Sequence, residues 1–160
     1  MNSVRLRPVE EKGKNATGLI RSLEKFMSGE NVSIIKNLYE AFGVGNVAGV
    51  LGVMSPDIVW NEAENFPYAD NNPYHGPEAV AAGVFARCIG EWDGFAVAMN
   101  DLIDGGERVV ALGRYSGSFK ETGRSMNPRA VHVWTLKDGK IVTFHQYIDT
   151  LDVARAIGSA

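Results

Sequence analysis

From Asn31 onward, apolar residues recur at helical spacing: Ile34, Ile35, Leu38, Tyr39 and Phe42 fall three or four positions apart. The spacing predicts one amphipathic helix, capped by Asn31 or Ser33 and stopped by Gly43 or Gly45. Val47, Val50, Leu51 and Met54 predict a second, short helix that ends at Ser55-Pro56. Ile58, Val59 and Trp60 then form a short strand running into Asn61-Glu62. The stretch from Glu64 to Gly76, interrupted by Pro67, Asp70 and Pro73, reads as irregular loop. Pro77 opens a third helix at its first turn, filled by Ala79 to Ile89.

Beyond Trp92 the period changes from helical to alternating. Strands are predicted over 95–103, 108–119, 126–136 and 141–149, with turns at Asp104-Gly105-Gly106 and Asp138-Gly139. A short helix over 151–157 follows, with Asp149 as its N-cap. Helices followed by a meander of strands give an α+β class: a curved antiparallel sheet wrapped on three N-terminal helices. Such a sheet forms a cone-shaped pocket with an apolar inner end, suited to a small hydrophobic ligand.

Length and charge narrow the setting. At 160 residues the chain is one domain by size. Residues 1–30 form an N-terminal extension, partly helical or flexible. Its start is charged (Arg5, Arg7, Glu10, Glu11), and only Leu19, Ile20, Leu23 and Phe26 make an apolar stripe. Residues 31–160 form the domain proper. A net charge of −3 argues against a nucleic-acid partner and against attachment to an anionic membrane by charge. No apolar run approaches the roughly 20 residues that span a bilayer. The single cysteine, Cys88, excludes an internal disulfide and a multi-cysteine zinc site, and its apolar neighbours suggest a buried, inert thiol. A reduced, cytoplasmic protein is the expectation. His75, Asp70 and Glu64 share one loose loop without regular ligand spacing, so neither metal nor cofactor is expected.

Polar residues that interrupt apolar alternation are the candidates for chemistry. Glu62 follows an apolar strand beside Trp60 and Phe66, and rings around a carboxyl raise its pKa toward that of a base. His132 breaks the run Val131-His132-Val133-Trp134. Alternation puts Ala130, His132 and Trp134 on one face of their strand, and Phe144, Gln146 and Ile148 on one face of the next. A one-residue bulge at the Asp138-Gly139 turn brings His132 and Gln146 to the same face; a bulge-free turn pairs His132 with His145. Both registers stay open. Arg114, mid-strand, selects an anionic ligand or pairs with Glu62 if it points inward, and is a sheet-surface charge if it points outward.

The stretch Val131-His132-Val133-Trp134, then Lys137-Asp138-Gly139-Lys140-Ile141 and Gln146-Tyr147-Ile148-Asp149, resembles the end of the SnoaL-like polyketide cyclases. It also resembles the ketosteroid-isomerase-like group of the nuclear transport factor 2-like superfamily. Upstream, Tyr39 to Gly45, Ile58-Val59-Trp60 and Tyr74-His75-Gly76-Pro77-Glu78-Ala79 fall where that family has its first helix, first strand and third helix. The resemblance implies a catalytic base at Glu62 and places the isomerase tyrosine on Leu38, with Tyr39 one residue away. The protonated aspartate of the isomerases falls on Val131 or His132. The histidine of the cyclases is matched by His132, and their acid–base aspartate falls on Gln146, which orients an oxygen but exchanges no proton.

Catalytic candidates are therefore Glu62, His132 and Gln146, with Trp60, Phe66, Arg114, Trp134, Phe144 and Ile148 as substrate-binding candidates. Glu62 and His132 are expected to be neighbours that titrate as a pair. The implied activity is isomerase, cyclase or hydrolase chemistry on a polycyclic or carbonyl-containing molecule. The alternative is a non-enzymatic carrier or association module. Apolar residues left on the convex sheet face imply a homodimer through the sheet.

Overall fold

The computed structural model describes the chain from Lys12 to Ala160, with side chains from residue 16 onward except those of 24–28. Residues 1–11 and the Phe26 side chain lie outside the described residues. Helix α1 spans Lys12–Gly43 and runs unbroken through the boundary expected near residue 30. Asn31 is therefore no cap. Its buried side chain instead donates to Gly106 O (3.0 Å), tying α1 to the first long hairpin. Ser33 turns its hydroxyl back on Gly29 O, a bond made inside a helix and not at its start. Leu19, Ile20 and Leu23 are all more than half exposed.

Helix α2 spans Val47–Gly52, capped by the Asn46 side chain. Strand β1, Met54–Asn61, begins earlier than alternation suggested. After the two-residue β2 (Tyr74–His75), one helical run follows: α3 (Pro77–Val80), a π-turn (Ala81–Phe85) and α4 (Ala86–Glu91). The long strands are β3 (Trp92–Gly105), β4 (Arg108–Phe119), β6 (Arg129–Lys137) and β7 (Lys140–Ile148). Met126 belongs to a separate two-residue strand, β5 (Ser125–Met126), because Pro128 has no N–H to give the ladder. Helix α5, Thr150–Ile157, is capped by Asp149, as its sequence predicted.

These elements make an α+β fold with strand order β2-β1-β7-β6-β4-β3. One part of the expected sheet needs correction. The meander β3-β4-β6-β7 is antiparallel, but β1 joins β7 in parallel, so the sheet is mixed. A parallel neighbour needs a long crossover, which the helical run and the meander between β1 and β7 supply. Among the described residues no helix is long and apolar enough to cross a membrane.

Register settles which side chains face inward. Lys137 pairs with Lys140 across Asp138 and Gly139, both at positive φ, and the extra residue sits one step further along, at Val142. Past that bulge His132 stands opposite Gln146. Two inward rows result: Val109, Trp134, Phe144 and Trp60 in one, Ala111, His132 and Gln146 in the next. The opposite face carries Leu112, Val131 and Tyr147 in one row and Val110, Val133 and His145 in another.

Candidate functional site

Between the inward rows of the sheet and helices α1 and α4 lies a narrow cavity. Counting its open mouth, about 460 Å³ is free of atoms. Its walls are apolar and aromatic, with Phe42, Trp60, Phe66, Phe85, Phe95 and Trp134 among the lining rings. Into this lining project five polar side chains that are not thiols: Tyr39, Glu62, Tyr115, His132 and Gln146.

Glu62 immediately follows β1 and is 4% exposed. Asn72 holds its backbone from both sides, donating to Glu62 O (2.7 Å) and accepting from Glu62 N (3.0 Å). Carboxyl atom Oε1 accepts from Trp60 Nε1 at 2.5 Å, while Oε2 is buried with no hydrogen-bond partner. Burial raises the Glu62 pKa to about 7, against the opposing pull of the Trp60 bond. A carboxyl balanced there both takes and gives a proton at neutral pH. Buried polar atoms are normally satisfied, which sets Oε2 apart from the rest of the site's polar atoms.

His132 sits at the centre of a hydrogen-bonded chain. Tyr39 Oη lies 2.7 Å from Nδ1 and accepts from Trp134 Nε1 at 2.8 Å. Tyr115 Oη lies 2.6 Å from Nε2 and accepts from Gln146 Nε2 at 3.0 Å. Gln146 Oε1 in turn accepts from Ala63 N at 3.1 Å, which ties this chain to the residue after Glu62. Burial alone lowers the His132 pKa to about 3, so the ring is neutral under ordinary conditions. Burial likewise pushes both phenols well above their usual range.

The three catalytic candidates thus line one cavity, as do Trp60, Phe66 and Trp134. Phe144 stands behind it, stacked on Trp60 at 3.7 Å between ring centroids. Two substrate-binding candidates are placed elsewhere. Arg114 is exposed and donates to Asn127 O (2.6 Å), because Ala111, Gly113 and Tyr115 take the inward positions of β4 and leave it the outer face. Ile148 lines a second, more polar cleft with Asn61, Asn72, His145 and Tyr147, a cleft that Glu62 and Gln146 also border. Both carboxylate oxygens of Asp70 accept from Arg87 Nη1, at 3.0 and 2.9 Å. Cys88 is buried at the cavity wall, and burial pushes its thiol up, with Glu62 adding to the effect.

Two expectations about the chemistry change. Glu62 and His132 are not directly bonded; Trp60 serves the first and two tyrosines the second. Tyr39, one residue from the position the resemblance matches, lines the cavity together with Leu38. Tyr115 went unnoticed, although its inward parity with Val109 and Ala111 was a readable signal.

Comparison with known proteins agrees with this architecture. An NTF2-like protein of Burkholderia thailandensis E264 is 37% identical, with a TM-score of 0.76 over 79% of this chain and 96% of that one. An NTF2-like protein of Burkholderia pseudomallei K96243 is 31% identical, with a TM-score of 0.73 over 80% of this chain and 97% of that one. TerC, crystallised with polyporic acid, is 26% identical, with a TM-score of 0.72 over 81% of this chain and 99% of that one. Among curated proteins none matches significantly. The model of the SnoaL-like domain matches residues 35–144, and with the relatives above 30% identity it shows that this chain belongs to the SnoaL-like domain family of NTF2-like proteins.

Proposed function

We propose that this protein binds a small hydrophobic molecule in its cone and acts on it by acid–base chemistry. The reaction class is isomerase, cyclase or hydrolase, on a polycyclic or carbonyl-containing substrate. One observation carries the reading: a buried carboxyl, Glu62, with a pKa near 7 and an unpartnered oxygen, facing an apolar cavity. Glu62 moves the proton, neutral His132 and Gln146 hold the phenols of Tyr39 and Tyr115 toward the ligand's oxygen, and Trp60, Phe66 and Trp134 form its walls. These steps need no group beyond those the chain itself provides. Residues 1–30 are an extension of the domain at 31–160.

The test is a native mass-spectrometry screen of polycyclic and hydroxylated aromatic compounds, with polyporic acid, the molecule crystallised with TerC, among them. Retention of at least one compound by the parent protein is expected. Retention of none across the whole set overturns the reading.

A second reading, a dimeric carrier without catalysis, draws on the outer sheet face. Leu112, Val131, Val110 and Val133 are only half-buried there and Tyr147 is 59% exposed, so this face carries apolar side chains beside His145. We expect an isologous dimer through this face, with a light-scattering mass twice the 17.4 kDa of the chain. A monomer mass at micromolar concentration refutes it. A ligand recovered unchanged after long incubation with the dimer favours the carrier over the enzyme.

A further inference from the structure

The hydrogen bonds around His132 can be counted proton by proton, and the count does not close on itself. Trp134 Nε1 is only ever a donor, so Tyr39 Oη must accept from it. Gln146 cannot be turned over, because its Oε1 already accepts a backbone N–H from Ala63; its Nε2 must therefore donate to Tyr115 Oη. Each phenol oxygen thus has one fixed incoming bond. Each is also within 2.7 Å of one imidazole nitrogen, a separation that requires a proton between them. A neutral imidazole carries one N–H and one lone pair. It feeds one of the two links and is fed by a phenol across the other. Two arrangements satisfy every bond. In the first, Tyr39 donates to Nδ1, Nε2 donates to Tyr115, and the Tyr115 proton is left over. In the second, Tyr115 donates to Nε2, Nδ1 donates to Tyr39, and the Tyr39 proton is left over.

We propose that Tyr39, His132 and Tyr115 act as a single shared hydrogen-bond donor with two ends, presenting one spare phenolic O–H to the cavity at Tyr39 or at Tyr115, never at both. Both tyrosines line the cavity, so the ligand class this donor takes is one carrying an acceptor oxygen, such as a ketone or an ester carbonyl. The oxygen's position selects the end, and the choice appears as the tautomer of His132. Moving from one arrangement to the other conserves protons. Nδ1 gains the proton of Tyr39, Nε2 passes its own to Tyr115, Tyr115 releases one to the cavity and Tyr39 takes one up. Binding of a carbonyl compound rests on the function proposed above, but the tautomer rule does not, since it concerns the protein's own side chains.

The experiment is two-bond 15N NMR of the imidazole rings at pH 7, with exposed His75 and His145 replaced by Gln so that one ring signal remains. Tyr39→Phe and Tyr115→Phe each strip one ring nitrogen of its partner. A bare buried N–H is a costlier defect than a bare lone pair, so the proton moves to the nitrogen that keeps its tyrosine. Tyr39→Phe should hold His132 with its proton on Nε2, and Tyr115→Phe with its proton on Nδ1. Opposite tautomers in that order support the shared donor; the same tautomer in both, or the reverse order, overturns it. Should either variant fail to fold, the parent alone decides: a neutral ring at pH 6 supports the proposal, and an imidazolium signal, which would free both phenolic protons at once, overturns it. A failed ligand screen alongside the expected tautomers would leave the relay standing and remove the proposed function only.

Discussion

Replacing Glu62 by Gln should lower turnover about 10²- to 10⁴-fold, the usual contribution of a positioned acid–base group, while leaving the protein folded. The same substitution should change how stability depends on pH. The Glu62 pKa rises from an ordinary 4.5 to about 7 on folding, so the folded state holds this proton more tightly than the unfolded state. Its favourable contribution is complete below pH 4.5 and is lost as pH climbs through 7, a span worth about 3 kcal/mol. Parent protein should therefore lose stability between pH 5 and 8, whereas Glu62→Gln, which has no proton to lose, should not. Denaturant melts across that range, run beside a turnover assay, check both halves. Parent-like turnover in the variant would show that Glu62 is not the base. A loss of stability with pH that persists in the variant would assign the slope to other groups.

His132→Ala should damage fold and function together. The ring packs against Tyr39, Tyr115, Trp134 and Phe144 at centroid distances of 4.9–5.9 Å, and its loss leaves a gap and strips both phenols of a partner. A cost of about 3–5 kcal/mol follows from the cavity and the broken bonds, or a fall of about 10 °C in Tm for a chain of this size. The pH dependence here has the opposite sign to that of Glu62. The His132 pKa falls from 6.5 to about 3 on folding, so its contribution is present above pH 6.5 and lost as pH drops through 3. The variant should accordingly lack the part of the acid-side decline that belongs to this ring. An unchanged melting temperature would mean that the hydrogen-bonded chain contributes nothing to the fold.

Much of this arrangement is legible in the sequence, and the failures have identifiable causes. Period-two alternation places His132 with Trp134 and Gln146 with Phe144, and those pairs do share inward faces. Alternation cannot say how two strands are matched, since one extra residue at Val142 reverses the choice between Gln146 and His145 as the partner of His132. Arg114 shows the same logic in reverse. Its neighbours Gly113 and Tyr115 take the inward positions, and a mid-strand charge between them faces out. The resemblance falls on Leu38, and one residue along a helix turns a side chain by about 100°, yet the long phenol of Tyr39 on the flank of α1 still reaches the cavity. The parallel partner of β1 lies beyond any local pattern, because nothing near Ile58 records which distant strand it will join.

That distant partnership also has a bearing on how the protein assembles. The hairpins β3-β4 and β6-β7 close over short loops, whereas β1 must wait for β7 to be made before it can dock beside it. Asn61 pairs with His145 from the far end of the domain, and Glu62 is the next residue along. The carboxyl would then meet a wall of Tyr115, His132 and Gln146 that the meander itself supplies. Peeling β1 away removes the carboxyl first and leaves much of that wall standing. Amide exchange that is faster across Trp60 to Ala63 than across Val131 to Val133 would be the mark of this seam, along which the molecule opens without unfolding.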